Sequence, residues 1–576
     1  MTARRAEESV GTEPLARPLA LGSALLTSAA LAACGGGAKA TDAQIQGGNP
    51  TPLPKADAAA RFLAQAGLGA TPDSIGALLA LPSYDAWLDQ QFALPIDRSV
   101  FDMAKDLGVA DAIENEQFQY QDDDTGLDNS LWFRLFKAHD VLRQRTVLAL
   151  SELFVVSQRN MPVPWGQFCG LAYWDLLEQH CFGNFRDLIE HITLSPAMGV
   201  YLSMRASQKA DEVSGRQPDE NYARELLQLF TIGLVQLQHN GTPVLVNGKQ
   251  VETYTNQDIT GLAKVFTGWD FDVSNLDAFG YNLDTDAEYT RRPMKLIPGL
   301  HADDAKTFLG TTIEAGLGGA QDLKLALDAV YNHDNVGPFI ARQLIQRLIS
   351  SNPEPDHVAH VASVFNSNAD GVRGDMKAVI RAVLMHPLAR DVLVGDAALR
   401  RCKLREPILR LVQWGRLVNI SSTNNRWDVG DLSYTDKLAQ SPLRSPSVFN
   451  FFRPGYVPLN SGLSADHFVA PEFQITDEST VVGYANFMLS VIPEGDPGSG
   501  LAVDYRAWED LADDPARLVD GINWLLTGHA LISSTVDLIV EAIKDLNPPN
   551  DAELRYNRTR VAFFLAMTSP DYLVQR

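Results

Sequence analysis

Cysteine is scarce in this chain, with four residues among 576, at positions 34, 169, 181 and 402. None belongs to a Cys-x-x-Cys pair or to a Cys/His cluster, which argues against structural zinc sites of the common types. Cys169 and Cys181 are close enough in sequence to close a short disulfide loop, which would contribute about 3 kcal/mol in the chain-entropy model. The sequence is equally compatible with free thiols at 169, 181 and 402.

Basic residues are also few. The chain has 48 Lys and Arg against 71 Asp and Glu, which gives a formal net charge of −23. A surface this acidic repels phosphate backbones and anionic lipid headgroups. We therefore expect no nucleic-acid partner, and any membrane attachment must come from a covalently bound lipid. The same charge is compatible with cation binding or simply with solubility.

Sequence motifs of the common enzyme classes are missing as well. The chain has no Gly-x-Ser-x-Gly, no His-Glu-x-x-His, no Walker-type phosphate loop and no dinucleotide-binding fingerprint. The cofactors are therefore unknown at this point. Strand-like alternation is scarce too, whereas apolar residues recur at helical spacing from Ala56 onward.

The first 33 residues have the pattern of an export signal. A basic start precedes an apolar run from Leu19 to Ala33, which is too short and too weakly hydrophobic for a stable transmembrane helix. The run ends in Leu-Ala-Ala-Cys at 31–34, which resembles a bacterial lipobox, where cleavage precedes a diacylated Cys34. The alternative is an ordinary secretory signal that happens to end at a cysteine. Since no Asp follows Cys34, the lipoprotein hypothesis places the chain in the outer membrane, facing the periplasm or the cell surface.

The rest of the chain predicts a short tether and one large domain. Residues 34–55 are rich in Gly, Pro, Ala and Thr and predict a flexible tether. Residues 56–576 predict a mainly α, single large helical domain with a small β-hairpin insertion at 242–254. The hairpin prediction rests on an Asn247-Gly248 turn between two apolar runs. The predicted helices include 71–81, with Thr71 as its N-cap, and also 128–156, 218–232, 256–266 and 403–417.

The helix predicted at 218–232 carries the first candidate site residues. Glu225 and Asn221 lie on one flank of an apolar arc that includes Tyr222, and they could project together into a cleft as a general acid or base, or as cation ligands. Arg224 points away and forms an i, i+4 pair with Glu220. The alternative is a helix with a solvated, salt-bridged face, in which none of these residues has a catalytic role.

The next helix and its end supply two further candidates. Thr255 is a plausible N-cap, with Asp258 three residues later, close to a capping box. Asp258 could also supply the second carboxyl group that glycoside chemistry requires. Trp269, after a helix-ending glycine, could stack on a sugar ring, although a tryptophan in this position is more often part of the core.

Two loops hold the remaining candidates. His301 and Asp303 precede Lys306, and a histidine with carboxylates can bind a transition metal. One histidine is weak support, so we predict an Asp-capped loop and no metal site. Arg444 and Arg453 lie in a segment of prolines and aromatics, which either packs over the body or lines a groove where arginines hold anionic groups.

Several segments together resemble the bacterial family called domain of unknown function 1800. They include RFLAQAGLGAT at 61–71, NYARELLQLFTIG at 221–233, YTNQDITGLAKVFTGW at 254–269, KLREP at 403–407 and AQSPLRSPSVFNFFRPGY at 439–456. The resemblance implies a large, mostly helical exported protein, often encoded beside a family that resembles sulfatases. Many members carry a Trp-His-Asn-His-like motif after the long early helix, whereas residues 148–157 read LALSELFVVS here and contain no histidine.

These observations lead to two hypotheses about function. The first is a cell-envelope lipoprotein that acts as an enzyme on an envelope or extracellular polymer through an acidic cleft, with Glu225 as acid or base and Trp269 as a stacking platform. The second is a non-catalytic scaffold or anchor for an exported, sulfatase-like partner. In both, the protein contacts the membrane through lipid on Cys34. The sequence leaves open whether the chain is an enzyme.

Overall fold

Helices dominate the chain, which confirms the mainly α prediction. The structure is a computed structural model that describes residues 55–273, 287–391 and 401–576. The signal segment, Cys34 and the tether as far as residue 54 lie outside the described residues. Buried apolar side chains from Ala59 to Tyr572 form one continuous cluster, which joins helices from both ends of the described chain.

The α-helices are numbered here in chain order. They are α1 Lys55–Ala66, α2 Pro72–Leu79, α3 Tyr84–Ala93, α4 Val100–Asp106, α5 Leu127–Lys137, α6 Val141–Ser151, α7 Gly166–His180, α8 Phe185–Leu194, α9 Pro196–Tyr201, α10 Asn221–Glu225, α11 Asn256–Ala263, α12 Gly319–Tyr331, α13 Val336–Leu348, α14 Pro355–Asn366, α15 Met376–Met385, α16 Pro387–Arg390, α17 Pro407–Leu417, α18 Gly462–Ala465, α19 Glu478–Val491, α20 Arg506–Glu509, α21 Pro515–Thr527, α22 Ser533–Lys544, α23 Asp551–Thr568 and α24 Pro570–Leu573.

The strands are short and pair two by two, always antiparallel. They are β1 Ala112–Ile113, β2 Gln117–Phe118, β3 Leu245–Val246, β4 Lys249–Gln250, β5 Trp269–Asp270, β6 Lys295–Leu296, β7 Lys306–Phe308, β8 Thr311–Ile313, β9 Lys403–Leu404, β10 Ser421–Ser422, β11 Leu501–Ala502 and β12 Val574–Gln575. The pairs are β1 with β2, β3 with β4, β5 with β6, β7 with β8, β9 with β12 and β10 with β11.

The predicted hairpin is confirmed. Strands β3 and β4 flank the Asn247-Gly248 turn, and both turn residues have positive φ, as a two-residue hairpin turn of the primed type requires. Beyond the strands, the ladder continues, because Gln236 N–H donates to the Val251 carbonyl at 2.8 Å. The predicted start of α2 is also confirmed, since the Thr71 hydroxyl accepts a hydrogen bond from the Ser74 N–H.

The long helix predicted at 128–156 is wrong, because the chain breaks into α5 and α6 at residues 138–140. A side chain that is distant in sequence caps this break. The Arg416 guanidinium donates to the carbonyls of Phe136 at 2.9 Å and Ala138 at 3.1 Å, which satisfies groups that a helix end leaves open. The apolar spacing continues across the break, so periodicity alone does not reveal it.

The prediction of a helix over 403–417 is wrong at its start. Lys403 and Leu404 instead form β9, which pairs with the C-terminal strand β12. Glu406 has an extended backbone, with ψ of 140°, because the residue before a proline avoids the helical region. The helix therefore begins at Pro407.

The possible disulfide between Cys169 and Cys181 does not form. Cys169 lies in the first turn of α7 and Cys181 directly follows its last residue, so their separation along the helix is about 18 Å, far beyond bonding distance. Both thiols are free and buried, and burial raises the pKa of Cys181 to about 12.

No helix in the described ranges is both long enough and apolar enough to cross a membrane.

Candidate functional site

Glu225 lies where the helix geometry changes. Helix α10 ends at Glu225, and the chain continues as a π-helical stretch, Leu226–Thr231. The sequence had predicted a single helix over 218–232 and no change to π-helical geometry. The Thr231 hydroxyl donates to the Leu226 carbonyl five residues earlier and so stabilises the wider turn. Such π-turns within helices are frequent at functional sites.

The Glu225 side chain is buried and incompletely bonded. The residue is 7% exposed. Within the described ranges, no group donates a hydrogen bond to its Oε2 atom. Burial raises the pKa of Glu225 from its ordinary value, although the neighbouring Arg224 acts in the opposite direction. A buried carboxyl group with an unused oxygen costs stability, and such groups concentrate at functional sites.

Two tyrosines stand close to Glu225. Burial raises the pKa of Tyr201 to about 12, a shift that the Ser445 side chain opposes and the charge of Glu225 supports. Burial likewise raises the pKa of Tyr254 to about 12, again supported by the charge of Glu225. The Ser445 side chain faces the Tyr201 hydroxyl, and both hydroxyls are closed to solvent. Glu225 therefore keeps a buried carboxylate oxygen without a hydrogen-bond donor near this tyrosine–serine pair.

Tyr201 also lines a cavity of about 430 Å³. It is lined by residues 122–124 and 158–163, together with Gly166, Val200 and Tyr201. Tyr201 thus belongs both to the cavity wall and to the surroundings of Glu225. The volume falls within the usual range for small-ligand pockets.

The segment 439–450 lies next to the cavity-lining residue Gln158 and has a strained backbone. Ala439, Leu443 and Asn450 all have positive φ, which is uncommon for residues other than glycine. In the same segment, the Ser441 hydroxyl and the Asn450 amide nitrogen are buried and find no hydrogen-bond partner among the described residues. The Leu443 carbonyl accepts from the Gln158 N–H at 2.9 Å, which ties this segment to the cavity.

Asn221 and Arg224, also predicted as site residues on α10, are not buried with Glu225. Asn221 is partly exposed at the start of the helix, where its N–H donates to the Asp219 carboxylate. The predicted pair is confirmed, with Arg224 Nη2 3.1 Å from Glu220 Oε2, and both side chains are substantially solvated. Arg224 therefore acts as part of a surface ion pair, of small energetic value.

Asp258 is occupied by backbone groups. One carboxylate oxygen accepts from the Thr255 N–H at 2.7 Å, as the predicted capping box requires, and the other accepts from the Leu309 N–H at 2.6 Å. Burial acts to raise the pKa of Asp258, yet these hydrogen bonds hold it below its ordinary value. This arrangement fixes α11 onto the β7–β8 hairpin and leaves Asp258 poorly placed as a second catalytic carboxyl.

The two aromatic candidates belong to the core. Trp269 is 5% exposed and lies in β5, so it has no open face on which a sugar ring could stack. Tyr222 is fully buried, its hydroxyl lies 2.6 Å from that of Thr193, and its ring packs edge-to-face on Phe266. The placement of both residues favours the packing alternative.

Arg444 and Arg453 also differ from the predicted anion-binding pair. Arg444 is buried and bonds the carboxylates of Asp124 and Asp128, so its charge is already neutralised. Arg453 is exposed and lies over the Phe449 ring. The structure does not bring the two arginines together at an anion site.

His301 and Asp303 are separated as well. His301 is buried, with Nε2 2.9 Å from Asp322, whose carboxylate also contacts Lys306 Nζ at 2.7 Å. Asp303 is largely exposed and faces Lys209. Over the described residues, no group of three His, Cys, Asp or Glu side chains could hold a metal ion.

Sequence reasoning missed a buried charged network. Lys403 Nζ lies 3.2 Å from Glu406 and 3.1 Å from Glu472, and all three side chains are almost fully buried. The Gln440 amide donates to both Glu152 and Glu406, at 3.2 and 3.0 Å. Glu152 lies in the segment 148–157, where the chain lacks the histidine motif of many family members. The KLREP and AQSP segments belong to the family resemblance, but no pattern in the sequence around either one indicates that the two segments are in contact.

Two of the three glutamates in this network have pKa values shifted in opposite directions. Burial raises the pKa of Glu152 well above its ordinary value, and repulsion from Glu406 adds to this. For Glu406, burial acts in the same direction, but the Lys403 ammonium, the Arg145 charge and hydrogen bonds from Glu152 and Gln440 together outweigh it and hold the pKa at about 2. The network is buried inside the protein.

A larger groove of about 860 Å³ lies elsewhere, between α3, α14 and α15. Its Arg381 is bound by the carboxylates of Asp85 and Asp89, and its Asp375 caps the start of α15. These charges are already paired, so this groove lacks the unsatisfied buried groups found around Glu225.

Comparison with known proteins identifies one match. The family model described as "Protein of unknown function (DUF1800)" matches residues 61–574. Neither the curated proteins nor the solved structures include a match to the chain.

Proposed function

This chain belongs to the DUF1800 family, and we propose that it is a cell-envelope enzyme that acts on an envelope or extracellular polymer by acid–base catalysis. Glu225 is the proposed acid, and the cavity beside Tyr201 receives the substrate. The proposal also keeps the predicted export and the lipid on Cys34, which would hold the enzyme at the outer membrane.

One observation carries the proposal: the Glu225 carboxyl is buried, has an oxygen without a partner and has a raised pKa. A general acid must hold its proton near working pH, and desolvation is the usual means by which a protein achieves this for a carboxyl group. In this proposal the cavity lined by Tyr201, whose pKa responds to the charge of Glu225, is the place for the group that receives the proton.

The neighbouring residues have supporting roles in this proposal. Tyr201 would contact the substrate, because it lines the cavity and its pKa responds to the charge of Glu225. If the reaction is hydrolysis by two carboxyl groups, Asp122 or Asp123 supplies the second, since both line the cavity whereas Asp258 is bound by backbone groups.

The substitution Glu225→Gln tests the proposal. We expect it to lower kcat/KM on the responsive polymer by about 100-fold or more, because the amide cannot donate the catalytic proton. The matched control is Glu220→Gln, which removes a carboxylate from the same chain segment but only breaks a surface pair. Activity is measured as release of soluble fragments from envelope and extracellular polysaccharides, with circular dichroism to show that both variants fold.

The pH profile provides an independent readout. Because burial raises the pKa of Glu225, the protonated acid persists to higher pH than an ordinary glutamate allows, and activity should fall as pH rises through that raised value. The residual activity of Glu225→Gln should lack this fall. Full activity of Glu225→Gln on every polymer that the wild type degrades would remove the proposal.

The second candidate function is the non-catalytic anchor for an exported, sulfatase-like partner. One observation favours it: Leu234, Leu245 and Val246 are each more than half exposed on the β-hairpin and its adjoining segment. Contiguous exposed apolar residues often mark protein-contact surfaces.

Co-purification from membranes tests this second candidate. We expect the double substitution Leu245→Ser/Val246→Ser to abolish recovery of the partner if the hairpin is its contact. Val213→Ser is the control, because Val213 is an equally apolar, almost fully exposed residue in another loop. Equal recovery with both variants would exclude the hairpin as the contact.

A further inference from the structure

We propose that three histidines, His357, His360 and His386, form an acid-sensitive latch that holds α16 against α14 and α15 at neutral pH and releases it when the pH falls. The latch is separate from Glu225 and does not depend on the proposed catalysis. It adds a means of regulation, because two of its histidines line the groove of about 860 Å³.

The three imidazole rings lie against one another. The rings of His357 and His386 are stacked, with centroids 4.4 Å apart and an angle of 11° between their planes, and the His360 ring lies 5.1 Å from that of His386. His357 and His360 belong to α14, whereas His386 lies between α15 and α16. Because a charge on one ring repels a charge on the next, this packing favours neutral rings.

Two hydrogen bonds show what protonation would change. The Leu388 N–H donates to His386 Nδ1 at 3.2 Å, which makes His386 the N-cap of α16. This nitrogen accepts a hydrogen bond only while it carries no proton, because both ring nitrogens of a charged histidine are donors. His357 is 2% exposed, and its Nε2–H donates to the Val383 carbonyl of α15 at 3.1 Å. A charge on the His357 ring would therefore be buried, which is costly.

The charges around the latch do not reverse this preference. Those that act on it are Asp356 of α14, Arg390 of α16, and Asp391 and Arg401 from the chain beside it. Burial, assisted by repulsion within the latch, lowers the pKa of His386 although the two aspartates act in the opposite direction. Burial and the same repulsion lower the pKa of His357 to about 3. Across the groove, Arg381 of α15 is already paired with Asp85 and Asp89 of α3.

Acid therefore favours the opened form. A histidine released from the latch regains an ordinary pKa of about 6.5, whereas the closed latch keeps His357 and His386 neutral to lower pH. The opened form thus binds more protons, and the closed form loses stability as the pH falls below about 6.5. Since His360, His386 and Pro387 line the groove, release of α16 alters the groove wall.

Hydrogen exchange with mass spectrometry tests the latch in the intact chain, at about pH 7.5 and about pH 5, on either side of the ordinary histidine pKa and with correction for the intrinsic exchange rate. In the wild type we expect the protection of residues 376–391 to fall about tenfold or more at the lower pH, because one pKa unit of difference corresponds to a factor of ten. Protection of α7 should not change, which distinguishes release of the latch from global unfolding. His386→Asn should keep its protection, because asparagine caps a helix through an oxygen that does not titrate.

Two further variants complete the test. His360→Asn alters only an exposed ring, and it should reduce the acid loss of protection because one repelling charge is removed. His467→Asn is the matched control and should behave like the wild type, because His467 is exposed, lies outside the latch and has a positive φ that asparagine tolerates. Equal protection of the wild type at both pH values would overturn the inference. An equal acid loss in the wild type and in both latch variants would also overturn it.

Discussion

Replacing Lys403 by methionine should lower the free energy of unfolding by about 3–5 kcal/mol. The Lys403 ammonium contacts Glu406 and Glu472 and also donates to the Arg347 carbonyl at 2.7 Å. The substitution keeps the apolar volume but leaves two buried carboxylates without their cation. Breaking a buried ion pair on one side costs far more than the pair itself contributes, because the remaining charge is desolvated. Urea unfolding followed by tryptophan fluorescence measures the change.

A surface lysine and a second substitution control this prediction. Lys324→Met removes an exposed lysine that pairs with Asp328 and should change stability by less than about 0.5 kcal/mol. Adding Glu472→Gln to Lys403→Met should restore part of the lost stability, because one of the uncompensated charges is removed. If the Lys403→Met protein is as stable as the Lys324→Met protein, the buried network does not contribute the expected free energy of unfolding.

Replacing Gly261 by alanine should destabilise the protein by about 3 kcal/mol, at the upper end for an overpacked position. Gly261 lies within α11, against the backbone of β7, and an added Cβ would stand 1.9 Å from the Thr307 carbonyl oxygen. Backbone atoms cannot move aside as the end of a side chain can. The helix must therefore leave the hairpin, which would also strain the Asp258 contact with the Leu309 N–H.

Gly76 provides the control, because it is also in the middle of a helix. In the structure described, an added Cβ at Gly76 meets no atom within 4 Å. Gly76→Ala should therefore raise stability by about 0.5–1 kcal/mol through the better helix propensity of alanine. Thermal and urea unfolding of the two variants should thus shift in opposite directions. Shifts of the same sign and size would contradict the packing argument at Gly261.

Features that depend on near neighbours in sequence were predicted well. The Thr71 cap, the Asn247-Gly248 turn, the capping box at Asp258 and the Arg224–Glu220 pair each involve residues at most four positions apart. The break between α5 and α6 was missed because its cap, Arg416, lies about 280 residues away.

The candidate site was predicted only at Glu225. The apolar arc of α10 indicated that this carboxyl stands at a boundary, but Tyr222 belongs to the same arc and is core, as is Trp269, which was a candidate because it follows a helix-ending glycine. Tyr201 and Ser445 carry no local signal. Tyr201 comes close to Glu225, and Ser445 to Tyr201, because distant segments cross at one place.

The sequence by itself determined the helical class, the local caps and turns, and the family, because periodicity, capping and motifs are local or linear properties of the chain. Only the tertiary structure decided that Arg444 forms ion pairs with Asp124 and Asp128 and that Lys403 pairs with buried glutamates. It also decided that one Glu225 carboxylate oxygen is buried without a hydrogen-bond donor. The physical reason is that burial and charge pairing depend on which distant segments meet. Both must be known before the pKa of a carboxyl group, and hence its possible chemistry, is defined.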